Sequence, residues 1–465
     1  MRGLMFGAGT LALLAMNCAA AQARDEQACV SLSGLELPGY DLRIESAKHV
    51  AGEEPPHCLL TGSFEHRTGV DGVPYAIGFG LALPDDWSGR FLFQGGGGLN
   101  GSVRPPIGAT AAGEKSALER GFAVVSNDGG HKGESFDASF KKDQIAALNF
   151  AQGSVDKVTR LARAIVDKYY GTPASRSYFA GCSTGGREGM IAVQRYPDLF
   201  DGIIVGAPAM RTGRSNMSLA AKAVAMNRIA AKGADGLPDR MAALGDSDRE
   251  SILTGLLEAC DGLDGAEDGM IFNMAACAFD PRKLACEGEK GGTCLTVEQA
   301  EVVAETFAPT FDASGRAAYP AFPYDTGIVS EADTIPGILR VDDKRNRQFR
   351  NTALDFDVDA ILAALDGDPH QHLIDTNGWT DLGSFAGQGG RIMFFHGMSD
   401  PGGLDQFDML SELVEWVENG VVPDRVVASG SAFPERTRPL CPYPAYAHYS
   451  GSGDAENAAS FECRQ

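Results

Sequence analysis

The sequence predicts an α/β protein: a mostly parallel sheet covered by helices and interrupted by one large insertion. Three observations carry this. Short apolar strands alternate with amphipathic helices through the first 209 residues. A Gly-x-Ser-x-Gly turn, Gly181-Cys182-Ser183-Thr184-Gly185, joins one such strand to one such helix. From Met210 to about Asp375 the alternation breaks down into helical patches, such as Met217–Ile229 and Val297–Phe307, between irregular loops.

The chain opens with a targeting pattern. Met1-Arg2 is a positive start, Leu4 to Met16 is apolar, and Ala21-Gln22-Ala23 is a small-x-small cleavage site. Residues 1–23 are read as a signal peptide, which makes the protein secreted or periplasmic. No other apolar run is long enough to cross a bilayer. A formal charge of -22 argues against nucleic acid and anionic membranes as partners, because both select basic surfaces.

Residues 24–209 read as the first part of the core. Tyr75 to Leu83 alternates and ends at Pro84, so an edge strand is expected. Phe91–Gln94 is a buried strand running into Gly95-Gly96-Gly97-Gly98. Phe122–Ser126 is another, ending at Asn127-Asp128-Gly129-Gly130-His131. Asp156–Tyr170 carries Val158, Leu161, Ile165 and Tyr169 on one helical stripe and stops at Gly171-Thr172-Pro173. Tyr178–Ala180 is the strand before the serine turn, Gly186–Tyr196 the helix after it, and Gly202–Val205 the next strand. Residues 210–375 are the insertion, expected as a lid. Residues 376–465 are read as the remainder of the core, with a strand at Arg391–Phe395 and a helix at Gln406–Asn419.

In a Gly-x-Ser-x-Gly turn the serine sits on a strained strand-to-helix bend that exposes its hydroxyl above the sheet. Acyl transfer also needs two donors aimed at the developing oxyanion. The N–H of Thr184, next after Ser183, is one. The glycine run supplies the other, with Gly97 chosen and Gly96 as its neighbour. The triad order of this architecture is serine, acid, histidine, and Asp400, in the turn Gly397-Met398-Ser399-Asp400-Pro401, is the acid.

Gly181-Cys182-Ser183-Thr184-Gly185-Gly186-Arg187, with Gln194-Arg195-Tyr196-Pro197 and Phe200-Asp201-Gly202, resembles the tannase and feruloyl esterase family, which includes mono(hydroxyethyl) terephthalate hydrolases. The resemblance spans nearly the whole mature chain. It implies an α/β-hydrolase fold with a large inserted lid and hydrolysis of small aromatic (gallate- or ferulate-like) esters. It also implies a disulfide from the cysteine beside the serine to one beside the catalytic histidine.

Two further expectations depend on that likeness. Nine cysteines follow Cys18, and proximity, supported by the resemblance, suggests Cys29–Cys58, Cys260–Cys277, Cys286–Cys294 and Cys441–Cys463, leaving Cys182 alone. The stretch Asp261-Gly262-Leu263-Asp264-Gly265-Ala266-Glu267-Asp268-Gly269-Met270 is an acidic loop able to wrap a hard cation. It is similar to the family's structural calcium loop. Carried over, the Ca2+ ligands are Asp261, Asp264 and Asp268 with the carbonyls of Ala266 and Met270.

The pattern departs from the family after Asp400. A hydrolase of this fold still needs a crossover, a final strand and a loop bearing the histidine, yet only Pro401-Gly402-Gly403-Leu404 precede Asp405. Four residues cannot hold a crossover connection. The sequence is therefore expected to lack the final strand and the His-Cys segment, and Cys182's missing partner agrees. His131, His396 and His448 are the candidate replacements weighed, none of them well placed. The rival expectation is an inactive, calcium-stabilised binding protein.

Overall fold

The structure is a computed structural model; it describes residues 26–324, 326, 351–397 and 403–465. The signal-peptide expectation and the Asp400 turn lie outside the described residues. Two compact units emerge. The first comprises the described residues up to Ala209, with Thr376–Phe395 and Met409–Val421; the second comprises those of Met210–Asp375, His396–Asp408 and Val422–Gln465.

The first unit is built on an eight-stranded mixed sheet. Its strands are β1 (Arg43–Val50), β2 (His57–Thr68), β3 (Pro74–Pro84), β4 (Arg90–Gln94), β5 (Ala123–Asn127), β6 (Arg176–Cys182), β7 (Gly202–Gly206) and β8 (Arg391–Phe395). Their order is β1-β2-β3-β5-β4-β6-β7-β8. The run β5-β4-β6-β7-β8 is parallel, as the strand–helix alternation predicts. Phe91, Phe93, Phe179, Ile203 and Val205 are fully buried, and Phe93 stacks on Phe179 with ring centroids 5.3 Å apart. Helices α1 (Ser154–Tyr170) and α2 (Thr184–Arg195) pack on this sheet through buried faces that include Val158, Leu161 and Ile165, and Met190 and Ile191.

Three expectations need correction. Tyr75–Leu83 is not an edge strand: β3 lies between β2 and β5, because an antiparallel β1–β2 pair, unread in the sequence, covers it. The helix expected from Gln406 begins at Met409, and Gln406–Phe407 pairs instead with Val426–Gly430. Residues 376–465 are not one piece of the core. From Val422 onward they belong to the second unit, where the Tyr446–Tyr449 and Phe461–Arg464 strands pair. Ala447 and Phe461 there share a small apolar cluster with Ala266 of the acidic loop. The Arg438–Asp268 ion pair, the Arg436 bond to the Asp268 carbonyl and apolar contacts hold that tail to the loop.

At its other end the sheet stops at β8. Among the described residues β8 pairs only with β7, and Phe394 is 51% exposed. All four expected disulfides form, with Cα separations of 5.4, 5.1, 5.2 and 5.6 Å. Cys182 is a free, exposed thiol. No helix of the described residues is long and apolar enough to cross a membrane.

Candidate active site

The site grows from the sharp turn between β6 and α2. Ser183 has φ 60° and ψ -117°, a backbone conformation that a residue with a Cβ rarely adopts. Neighbouring contacts impose it. The Ser183 N–H donates to the Gly206 carbonyl at 3.0 Å, and the Ser183 carbonyl accepts from Arg187 and Ala209, each at 3.0 Å. Gly185 is required by close approach: a Cβ there would lie 2.8 Å from the Gly96 carbonyl oxygen and 3.0 Å from the Gly95 carbonyl carbon. The serine side chain is exposed at the N-terminus of α2, where the helix favours developing negative charge.

The glycine run leaves β4 and lies against this helix start. Gly95 N–H donates to the Ala180 carbonyl at 2.9 Å. The Thr184 hydroxyl donates to the Gly98 carbonyl. Gly96 N–H donates to Glu188 Oε2 at 2.8 Å, and the Asn100 side-chain amide donates to Glu188 Oε1 at 3.1 Å. Gly96 is thus committed to a carboxylate. Among the described residues the Gly97 N–H meets no protein acceptor. The pair expected as oxyanion donors, Thr184 and Gly97, therefore belongs to two segments that touch.

Sequence reasoning missed Arg187 and Glu188. On a helix, adjacent charges read as a solvated face, yet both are buried. Arg187 donates to the Ala151 and Phe150 carbonyls at 2.7 and 2.9 Å, and its guanidinium lies 4.7 Å from the Phe150 ring centroid. Burial raises the Glu188 pKa, while Arg187 and the loop donors pull it down. The usable signal was their position just after the Gly185-Gly186 pair, where the helix start is hemmed in by backbone.

The three histidines weighed as a base have different surroundings. His131 is 1% exposed, among the described residues its two ring nitrogens make no well-formed hydrogen bond, and it stacks on Phe140 at 3.7 Å between centroids. Burial depresses its pKa to about 4, so the ring is neutral. His448 is no movable tail residue; it sits in the Tyr446–Tyr449 strand, 3.2 Å from where a Gly265 Cβ would stand. His396 is exposed, with Nδ1 2.9 Å from the Gly397 carbonyl oxygen.

In the second unit the acidic loop is built as a set of Asx turns. Asp264 is 1% exposed and accepts from the N–H groups of Ala266 and Phe272 at 3.2 and 2.9 Å. Asp261 accepts from Asp268 and Gly269 N–H groups, and Asp268 from that of Met270. Burial first, then the charges of Asp268 and Asp261, raises the Asp264 pKa to about 6. The buried guanidinium of Arg438 pairs with Asp268. Among the described residues no three His, Cys, Asp or Glu side chains are grouped so as to hold a metal ion. The donor chemistry nonetheless suits a hard cation: a buried carboxylate is left facing like charges with only two amide donors.

The family model described as "Tannase and feruloyl esterase" matches residues 61–404 and 402–464. The chain belongs to the tannase and feruloyl esterase family. This tannase-family chain is 33% identical to a mono(2-hydroxyethyl) terephthalate hydrolase of Piscinibacter sakaiensis, over 88% of its own length and 85% of the relative's. It is 27% identical to a probable feruloyl esterase of Arthroderma benhamiae, over 97% and 96%. Feruloyl esterase B of Aspergillus oryzae has the same fold, with a TM-score of 0.74 at 24% identity, over 94% of this chain and 100% of that one. By family, the chain is a carboxylic ester hydrolase with an α/β-hydrolase fold. The family match comes in two stretches that meet at residues 402–404. The alignment to the Piscinibacter enzyme runs over 517 residues, more than the 465 of this chain, so that enzyme has residues within the aligned region that this chain does not.

Proposed function

We propose that this chain is an exported serine esterase of small aromatic esters in which the base-bearing segment is missing, so that turnover is nearly absent. The observation that carries the reading is the strained, exposed Ser183, with the Gly97 N–H of the adjoining loop left without a protein acceptor among the described residues. Ser183 would attack the ester carbonyl, and the Thr184 and Gly97 N–H groups would hold the oxyanion. Asp400 would orient a histidine that takes the serine proton. The two-part family match at 402–404 supports locating the missing strand and histidine there. The relatives named for terephthalate and ferulate esters support an aromatic acid as the acyl group. Four disulfides support export to an oxidising compartment.

Calcium is part of the same proposal. Asp261, Asp264, Asp268 and the carbonyls of Ala266 and Met270 would hold the ion, which would neutralise the buried Asp264 carboxylate and tie the loop together. A second reading, a calcium-stabilised binding protein without catalysis, is favoured by the buried, neutral His131 and the strand-held His448. Sequencing the gene between the codons for Asp400 and Asp405 tests whether the segment is missing. Recovery of about forty residues with a His-Cys pair, the length of one crossover and its loop, supports an active esterase. An unchanged sequence leaves the base missing, as proposed, and favours the binding protein over an active esterase.

A further inference from the structure

Glu188 is a buried carboxylate that feels the charges of Arg187 and Arg104 but, among the described residues, forms no ion pair. Arg187, its neighbour in sequence, spends its guanidinium on the carbonyls of Phe150 and Ala151. Among the described residues no Lys or Arg forms an ion pair with Glu188; its partners are the Gly96 N–H and the Asn100 side-chain amide. Both belong to the loop between β4 and β5. Asn100 returns the grip, since its own N–H donates to the Gly97 carbonyl at 3.0 Å and closes a turn around Gly97. Beyond that turn, Gly101 N–H donates to the Asp128 carbonyl at 2.8 Å and Leu99 N–H to the Ser135 carbonyl at 2.8 Å.

Leaving a charge unpaired in the interior is costly unless both oxygens receive donors. Here the two donors bracket the turn that holds Gly97. A carboxylate suits this post because it accepts on both oxygens and donates on neither. It also removes Gly96 from competition: an amide bonded to a buried carboxylate cannot turn toward a substrate oxygen. The helix bearing Glu188 begins at Thr184, the second expected donor, so Glu188 ties the two donor segments to each other.

We propose that Glu188 is the positioning residue of the oxyanion hole, holding Gly96 and Asn100 so that the Gly97 N–H stays a free donor beside Ser183. The proposal rests on the esterase reading of Ser183. Glutamine at 188 keeps the volume but offers one acceptor and one donor group, so one of the two loop donors must face another donor.

The test uses the full chain and needs no turnover. The wild type, Glu188→Gln and Asn100→Ala are compared by hydrogen exchange in a peptide covering residues 95–101 and by calorimetric binding of phenylboronic acid, with Ser183→Ala as the control for adduct formation. Glu188→Gln is expected to speed loop exchange and to weaken the Ser183-dependent boronate binding at least tenfold. Its melting curve should stay close to the wild type's. Asn100→Ala, which keeps the Gly96 bond, should show a smaller effect in the same direction, and carries the test alone if the glutamine variant does not fold. Unchanged boronate affinity with unchanged loop exchange overturns the proposal. So does a loss of affinity that only tracks a lowered melting temperature. If the wild type binds no boronate beyond the Ser183→Ala control, the oxyanion reading of the site falls, while the exchange data still decide whether Glu188 holds the loop.

Discussion

Replacing Ser183 by glycine should stabilise this protein relative to replacing it by alanine. Both variants lose the hydroxyl, so their difference isolates the backbone. Ser183 stands at φ 60° and ψ -117°, a region in which a residue with a Cβ stores about 1–3 kcal/mol. Alanine keeps that Cβ and the strain. Glycine relieves it but adds about 0.5–1 kcal/mol of unfolded-chain entropy. The balance favours glycine by about 1 kcal/mol, since three backbone bonds hold the turn in either variant. In a unit of this size that difference corresponds to about 2–4 °C in melting temperature. Urea midpoints and calorimetric scans of the two variants measure it. Equal stability, or a more stable alanine variant, would refute the claim that the turn is held under strain.

Three further outcomes are expected. The neutral, buried His131 has its pKa lowered from 6.5 to about 4, so its contribution to stability is complete above pH 6.5 and is lost as pH falls toward 4. The difference amounts to about 3 kcal/mol. His131→Phe, which keeps a ring against Phe140, should therefore lose less stability than the wild type between pH 7 and 4.5, read from urea midpoints; parallel losses would contradict it. Thiol labelling of the unreduced chain from residue 26 onward should modify one cysteine, mapped by mass spectrometry to Cys182; a second labelled site would mean that one of the four disulfides does not form. Chelation should lower the melting temperature of the wild type and leave Asp264→Ala unaffected, because an ion bound only to the folded loop stabilises it by mass action; a wild type indifferent to chelator removes calcium from the account.

Much of the first unit was legible because its signals are local. The apolar strands at Phe91–Gln94, Phe122–Ser126 and Gly202–Val205, and the stripe through Val158, Leu161 and Ile165, are periodic and bounded by turn residues. Arg43–Val50 and His57–Thr68 were not read, since Glu45, Lys48, Gly62 and Glu65 break the alternation and pairing with each other and with β3 decides their state. That same pairing turned an expected edge strand into an internal one. The tail from Val422 could not be assigned from sequence because its partners, Ala266 and Asp268, are more than 150 residues away. At the site, Ser183, Thr184 and Gly97 announce themselves by glycine spacing. Glu188 does not, because a glutamate in a helix looks solvated until the loop that covers it is placed.

The central claim is that the nucleophile turn and oxyanion loop are built while the base is missing, and the most direct measurement of it is hydrolysis of a small aromatic ester by the wild type and by Ser183→Ala. Loss of a triad member costs about 10⁴ to 10⁶ in turnover, with oxyanion donors and binding leaving a remnant. The account predicts a rate barely above buffer that Ser183→Ala hardly changes. Rapid turnover by the wild type, stopped by Ser183→Ala, would contradict it and require a base elsewhere in the chain.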